Sequence, residues 1–327
     1  MSKKKVAVIM GGYSSEYEIS IMSGTVVSES LPRDRYEVYP VVILKEKWFH
    51  RSHDGKEYEI NKADFSFSDG HQRIVPDVVF NAIHGTPGED GLIQAYLELL
   101  GIPQTSCKHY PSGLTMNKRD CLSILKNFGV RCAQSYYVNQ GDKLDIEEII
   151  KITGLPCFVK PSKSGSSFGV SKVIEISDFE AAFEKAFEED PEILIESEIV
   201  GVEVSVGAMR RGDEIFVFPP TEIVSENEFF DYEAKYLGKS QEITPARISE
   251  EETRLVQAET ERIYKILNLS GITRTDFIIQ DGLPYFIEVN TTPGLSRESI
   301  IPKQARVAGM SLAELFSELI EQTLAEK

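Results

Sequence analysis

Arg274, Asp276, Glu288 and Asn290 are the side chains of this sequence whose types and spacing most clearly call for chemistry. They lie in two short β-branched and aromatic runs, TRTDFII and YFIEVN, separated by Asp281-Gly282, which is the pattern of a hairpin. Facing residues in a hairpin share a constant sum of residue numbers. A three-residue loop centred on Gly282 therefore pairs Asp276 with Glu288 and Arg274 with Asn290, and period-two alternation puts all four on one face. A two-residue Asp-Gly loop would set the acids on opposite faces. Pro284 opens the returning strand, where a missing N–H is tolerated. Burying two acids unpaired is costly, and a hard divalent cation removes that cost. Mg2+ takes oxygen ligands, few of them protein carboxylates, and completes its shell with water and substrate phosphates. The same spacing also suits a solvated hairpin face with an Arg–Asp surface pair, so the flanking sequence has to decide.

The chain that must position these residues has 327 of them, which is long for one core and predicts two or three domains. An apolar fraction of 41% and a charged fraction of 27% are those of an ordinary globular protein. A formal charge of −17 speaks against nucleic acid or an acidic membrane as partner, whereas a nucleotide needs only a few local lysines. Cys107, Cys121, Cys132 and Cys157 have neither CxxC spacing nor paired histidines. They read as reduced thiols of a cytoplasmic protein. No apolar run approaches the length of a membrane span.

Val6 to Met10 reads as a buried strand turned by Gly11-Gly12 into a helix capped by Ser15 with Glu18. This is how an α/β nucleotide-binding-like domain opens, without a GxGxxG. Glu16 sits at the mouth of that turn, placed for a cationic ligand or simply for the helix N-terminus. Residues 45–75 read as a peripheral insertion around Trp48, and the strand from Val78 to Ile83 runs into the loop His84 to Gly91. Such a loop at the carboxyl end of a parallel strand is where open α/β sheets place ligands. Lys118 lies in the first turn of a helix over 117–128, against the dipole. Lys160 ends a strand and leads into SKSGSSFG, whose glycines and serines let backbone N–H groups wrap phosphate oxygens, a lid more than a linker. A long polar loop over 225–245 carries Phe230, Lys235 and Tyr236. Ser249 with Glu252 and Ser311 with Glu314 cap two later helices. The second of these buries a stripe of Leu312, Leu315, Phe316, Leu319 and Ile320.

Read together, GGYSSEYEIS, HGTPGEDG, FVKPSKSGSSFGVSKV, DYEAKY, TRTDF and EVNTTPGLSRES resemble the D-alanine–D-alanine ligases of the ATP-grasp superfamily, in the family's order and over essentially the whole chain. The resemblance implies an α/β ATP-grasp fold with an N-terminal Rossmann-like domain. It divides the chain into a substrate-binding domain over 1–110, a central domain with the Ser/Gly lid over 111–200, and a domain over 201–327 with the metal and oxyanion site. It implies ATP-driven ligation of two D-alanines through a D-alanyl phosphate, for peptidoglycan precursors, by a cytoplasmic homodimer.

By position, Asp276, Glu288 and Asn290 match the ligands of two Mg2+ (or Mn2+) ions. Lys118, Lys160 and Lys235 match the lysines on the ATP phosphates, Glu196 the residue facing the adenine amine and Glu203 that facing the ribose. Glu16 matches the residue on the first substrate's ammonium, in a triad with Ser166 and Tyr236, and His84 the one near its carboxylate. Arg274 and the Gly294 N–H match the oxyanion hole, and Ser299 the residue on the second substrate's carboxylate. Tyr236 is the tyrosine absent from family members that make the D-lactate ester, which favours the dipeptide. Ser197 stands where many members carry a lysine, and Ser106-Cys107 where a glycine turn is common. Two other readings stay open: an ATP-grasp ligase joining a different carboxylate to a different amine or hydroxy acid, D-alanyl-D-lactate synthesis included, and a nucleotide-binding protein without turnover.

Overall fold

The computed structural model describes residues 3–165, 168–225 and 240–326. The chain starts as expected, with a buried strand β1 (Lys4–Gly11) and a helix α1 (Tyr17–Ser30). The cap differs: Glu16 is the N-cap, with no side-chain capping bond. The hydroxyl that serves this turn is that of Ser14, which accepts from the Glu16 N–H at 3.3 Å and donates to the His84 carbonyl at 3.0 Å. The helix start is thus tied to the ligand loop instead of to a Ser15–Glu18 box.

β1 pairs in parallel with β2 (Tyr36–Ile43) and, on its other edge, with β7 (Val78–Asn81). The segment read as a peripheral insertion extends this sheet. β3 (Trp48–Arg51) and β4 (Glu57–Glu59) add antiparallel to β2, followed by a small ribbon of β5 (Phe67–Ser68) and β6 (Arg73–Ile74). Trp48 packs edge-on against Phe65 and Tyr96, which gives the segment an aromatic core where its polarity predicted none.

α2 (Leu92–Leu99), α3 (His109–Met116) and α4 (Lys118–Asn127) lead to a second, antiparallel sheet. Its order is β10 (Ser171–Val173), β9 (Cys157–Pro161), β11 (Glu192–Ser197), β8 (Ser135–Asn139). Alternation divides its faces: Val159, Ile193 and Ile195 are buried with α5 (Ile146–Thr153) and α6 (Phe179–Phe187), which leaves Lys160 and Glu196 on the opposite face.

The third sheet runs β15 (Ser240–Ile243), β14 (Thr221–Ser225), β12 (Val202–Arg211), β16 (Ile272–Gln280), β17 (Leu283–Asn290), with β13 (Glu214–Val217) also on β12. α7 (Glu250–Ile266) carries the expected Ser249–Glu252 capping box, and α9 (Leu312–Ala325) the Ser311–Glu314 box. Between the hairpin and α9 lies α8 (Ile300–Val307). Leu315, Phe316, Leu319 and Ile320 of α9 are buried as the stripe required, but against Val6, Val8 and Phe80 of the first sheet. The last helix of the chain thus completes its first core.

Gly271 opens β16 at φ +63°, with the Thr105 carbonyl 2.1 Å from where a Cβ would stand; Gly282, at φ +75°, has open space there. Gly282→Ala should therefore lose about 1 kcal/mol from left-handed strain alone. Gly271→Ala should lose more, since backbone has to move as well. Thermal melts of the two variants test this, and equal melting temperatures would refute the contact.

Candidate functional site

The hairpin brings Asp276 opposite Glu288 and Arg274 opposite Asn290, as read from the sequence, but by another route. The loop has two residues, Asp281 and Gly282, both at positive φ, the geometry of a type I′ turn. A β-bulge between Asp276 and Phe277 then shifts the register, because Phe277 faces Phe286 while Asp276 faces Glu288. Ile287 is the extra residue. The bulge returns both acids to one face, and bulges next to active sites commonly re-aim side chains in this way.

Asp276 is 6% exposed and its carboxylate is fully engaged. Arg274 grips it with two bonds, Nε to Oδ1 at 2.9 Å and Nη2 to Oδ2 at 2.7 Å. Ser205 on β12 donates to Oδ1 at 2.6 Å and Asn290 Nδ2 to Oδ2 at 3.3 Å. Four donors fill the four lone-pair directions of a carboxylate. Across the hairpin, Glu288 Oε2 lies 3.5 Å from Lys118 Nζ, which also donates to the Ser164 carbonyl at 2.7 Å. Two carboxylates and an amide oxygen on one face fit a hard cation. A cation at Asp276 has to displace Arg274, Ser205 or Asn290 from one of its oxygens. Among the described residues no group of three or more His, Cys, Asp or Glu is placed to hold a metal alone.

A cavity of about 290 Å³ opens over this face. Of the predicted residues it collects Glu16, His84, Lys118, Arg274, Glu288, Asn290, Gly294 and Ser299. Glu16 approaches the lid, as a Cβ on Gly165 would stand 3.4 Å from its Oε2. Ser299 is the N-cap of α8 with no side-chain capping bond, so the first-turn N–H groups and the helix dipole are open to an anion. Gly294 packs close to it: a Cβ there would meet Ser299 Oγ at 2.8 Å. Lys160 and Glu196, expected at opposite ends of a nucleotide, form a largely buried ion pair with each other on the face of the second sheet opposite α5 and α6. Glu203 lies on β12 two residues before Ser205, hence on the face of Asp276. Ser166, Lys235 and Tyr236 lie outside the described residues.

His84 is buried with both ring nitrogens engaged, Nδ1 with the Thr292 carbonyl at 2.8 Å and Nε2 with Ser23 Oγ at 2.9 Å. A carbonyl only accepts, which assigns the ring proton to Nδ1. Ser23 Oγ then donates to Nε2 and accepts from the Leu295 N–H at 3.2 Å. Burial keeps the His84 pKa below the ordinary value, against the pull of Glu16.

Glu89, Thr292 and Ser205 are the partners that sequence reading missed. Glu89 accepts from the Gly85 N–H at 2.8 Å and the Thr292 N–H at 3.2 Å, and Thr292 Oγ1 donates to the Gly88 carbonyl at 3.2 Å. Burial first, and Glu16 second, push the Glu89 carboxyl well above the carboxylate range. The HGTPGEDG run displayed Glu89, but its partner lies 203 residues away.

This geometry is that of an ATP-grasp ligase. Family profiles described as D-ala D-ala ligase N-terminus and C-terminus match residues 5–107 and 124–321. The chain is 55% identical over 322 residues to a D-alanine–D-alanine ligase of Flavobacterium johnsoniae, covering 98% of this chain and 100% of that protein. Among solved structures it is similar to the VanG D-Ala:D-Ser ligase of Enterococcus faecalis, with 33% identity, a TM-score of 0.86, and 98% and 100% of the two chains covered. It is also similar to the D-alanine–D-alanine ligase of Bacillus anthracis complexed with ATP, with 29% identity, a TM-score of 0.80 and 98% of each chain covered. The chain belongs to the D-alanine–D-alanine ligase family.

The His84 geometry yields a pH prediction. Its folded pKa lies below about 6.5, so just below that pH the unfolded chain takes up a proton that the native ring refuses. Stability therefore falls as the pH drops below 6.5. Denaturant midpoints at a pH above and a pH below that value should differ less in His84→Gln than in the parent chain, and an identical difference would refute the neutral buried ring.

Proposed function

We propose that this chain uses ATP to activate the carboxylate of one D-alanine as an acyl phosphate and joins it to the amine of a second, releasing ADP, phosphate and D-alanyl-D-alanine. The observation that carries this reading is the convergence of Glu16, Lys118, Arg274, Glu288, Gly294 and Ser299 on one cavity, in a chain of this family. Production of peptidoglycan precursors in the cytoplasm, by a homodimer of three-domain chains divided near residues 110 and 200, belongs to the same proposal. Among the described residues no helix is long and apolar enough to cross a membrane.

Glu16 holds the first substrate's ammonium and Ser166 and Tyr236 close over it. His84, a neutral ring fixed by Ser23 and Thr292, serves the substrate carboxylate through position and not charge. Lys118, Lys160 and Lys235 orient the ATP phosphates, while Glu196 meets the adenine amine and Glu203 the ribose. Asp276, Glu288 and Asn290 hold two Mg2+ (or Mn2+) ions, which would neutralise phosphate charge during transfer. When the second amine attacks, the carbonyl oxygen becomes an oxyanion, and Arg274 with the Gly294 N–H holds it. Ser299 and the α8 N-terminus take the second substrate's carboxylate. The lid keeps the acyl phosphate from water.

Phosphate release from ATP and Mg2+ with D-alanine, L-alanine, or D-alanine plus D-serine, with products identified by mass, tests this. D-alanine alone should give phosphate and D-alanyl-D-alanine, and a chelator should stop both. The likeness to a D-Ala:D-Ser ligase makes D-serine the second reading, and a mixed product in preference to the D-alanine dimer would establish it. Arg274→Ala should raise the barrier by about 3 kcal/mol, read as turnover at saturating ATP; an unchanged turnover would remove Arg274 from the oxyanion hole.

A further inference from the structure

Strand β12 has a gap in one edge. β14 pairs with it at Glu203 to Ser205 and β13 at Ala208 to Arg211, both opposite the edge taken by β16, which leaves Val206 and Gly207 without a strand there. The Phe218 N–H covers the Gly207 carbonyl at 2.8 Å. The remaining groups are met by a side chain of α8. Gln304, wholly buried, accepts from the Gly207 N–H at 3.0 Å and donates to the Ser205 carbonyl at 2.8 Å and to Thr221 Oγ1 at 3.0 Å. Position 207 has to be glycine for this, because a Cβ would stand 2.6 Å from both Gln304 Oε1 and Ile301 Cδ1.

The amide therefore replaces a missing stretch of ladder, and it joins two parts of the site. Five residues before it on the same helix is Ser299, the N-cap that faces the cavity. One bond beyond it is Ser205, whose hydroxyl holds Asp276. The tie is rigid, since both ends are backbone or buried side chain. Among the described residues, the other polar tie of α8 to this sheet is the ion pair of Lys303 with Glu242 at 3.1 Å, which is partly exposed.

We propose that Gln304 is a positioning residue for the second amino-acid substrate: it fixes the α8 N-terminus, where that substrate's carboxylate binds, in register with Arg274 and Asp276, so that the incoming amine lines up with the acyl phosphate. This rests on the ligase reading above. Gln304 touches no substrate, and its loss should harm the second half-reaction while sparing the first.

Hydroxylamine separates the two halves. It attacks the acyl phosphate as a nucleophile with no carboxylate, so hydroxamate formation from D-alanine and ATP needs the first half only. In Gln304→Met the D-alanine concentration for half-maximal dipeptide formation should rise about tenfold, the effect of roughly one misplaced hydrogen bond, with the hydroxamate rate within about twofold of the parent. Thr221→Val, which removes one of the three bonds, should move dipeptide formation the same way by less, and the same comparison holds on it if Gln304→Met does not fold. Equal loss of dipeptide and hydroxamate, or no loss of either, overturns the positioning role. Absence of hydroxamate from the parent chain overturns the ligase reading itself.

Discussion

A carboxylate as buried as Asp276 has to be compensated from within the protein, and the middle of the site is arranged around doing so. Ser205 comes from the neighbouring strand, Arg274 from two residues earlier on the same face, and Asn290 from across the hairpin. Removing one donor leaves a buried charge short of partners, which is costly in a low-dielectric setting. The arrangement also couples two proposed tasks. Arg274 grips Asp276 through Nε and Nη2, and a guanidinium carries five N–H donors, so one side chain can serve both the carboxylate and the proposed oxyanion.

The cavity has one wall tied down by internal bonds and another formed by the Ser/Gly loop. On the fixed side, the loop after β17 is held to the ligand loop after β7 at every polar atom of Thr292: its N–H by Glu89, its carbonyl by His84, its hydroxyl by Gly88. Those bonds need no ligand, so the Gly294 turn is set before any substrate arrives. That is the preorganisation that the proposed oxyanion hole would require. On the other side, Ser164 and Gly165 of the Ser/Gly loop line the same cavity and approach Glu16. Asp190 anchors the base of that loop by accepting from the Lys163 N–H at 2.7 Å. The described start of the segment proposed to cover the substrates is therefore tied to the second sheet.

Much of this was legible because the signals were local. Capping boxes at Ser249 and Ser311, the buried strand ending at Gly11 and the acids of the hairpin all announce themselves within a few residues. The acid pairing came out correctly from a three-residue loop, while the protein uses a two-residue turn and a bulge; two departures of one residue cancel. A bulge has no signature when its extra residue, Ile287, looks like any strand residue. α8 went unread because its third position is Pro302, which allows no capping box. Glu89, Ser205 and Gln304 were invisible as positioning groups because each acts on a partner 71 to 203 residues away. The family resemblance transfers ligand contacts, and it carries no such internal bonds.

The net charge of −17 raises the question of how such a chain receives a nucleotide. Two of the three lysines assigned to phosphates lie within the described residues, and both are paired with carboxylates, Lys118 with Glu288 and Lys160 with Glu196. Each pair is mostly shielded from water, and leaving either charge alone there would be unfavourable. A metal–nucleotide complex brings both signs together. When it enters, Lys118 can pass from Glu288 to a phosphate while Glu288 passes from Lys118 to the cation, so neither is left buried without a counter-charge. In the proposed roles, the Lys118–Glu288 pair holds the places of a phosphate and a cation, which would make binding of the nucleotide and of the metal one electrostatic exchange.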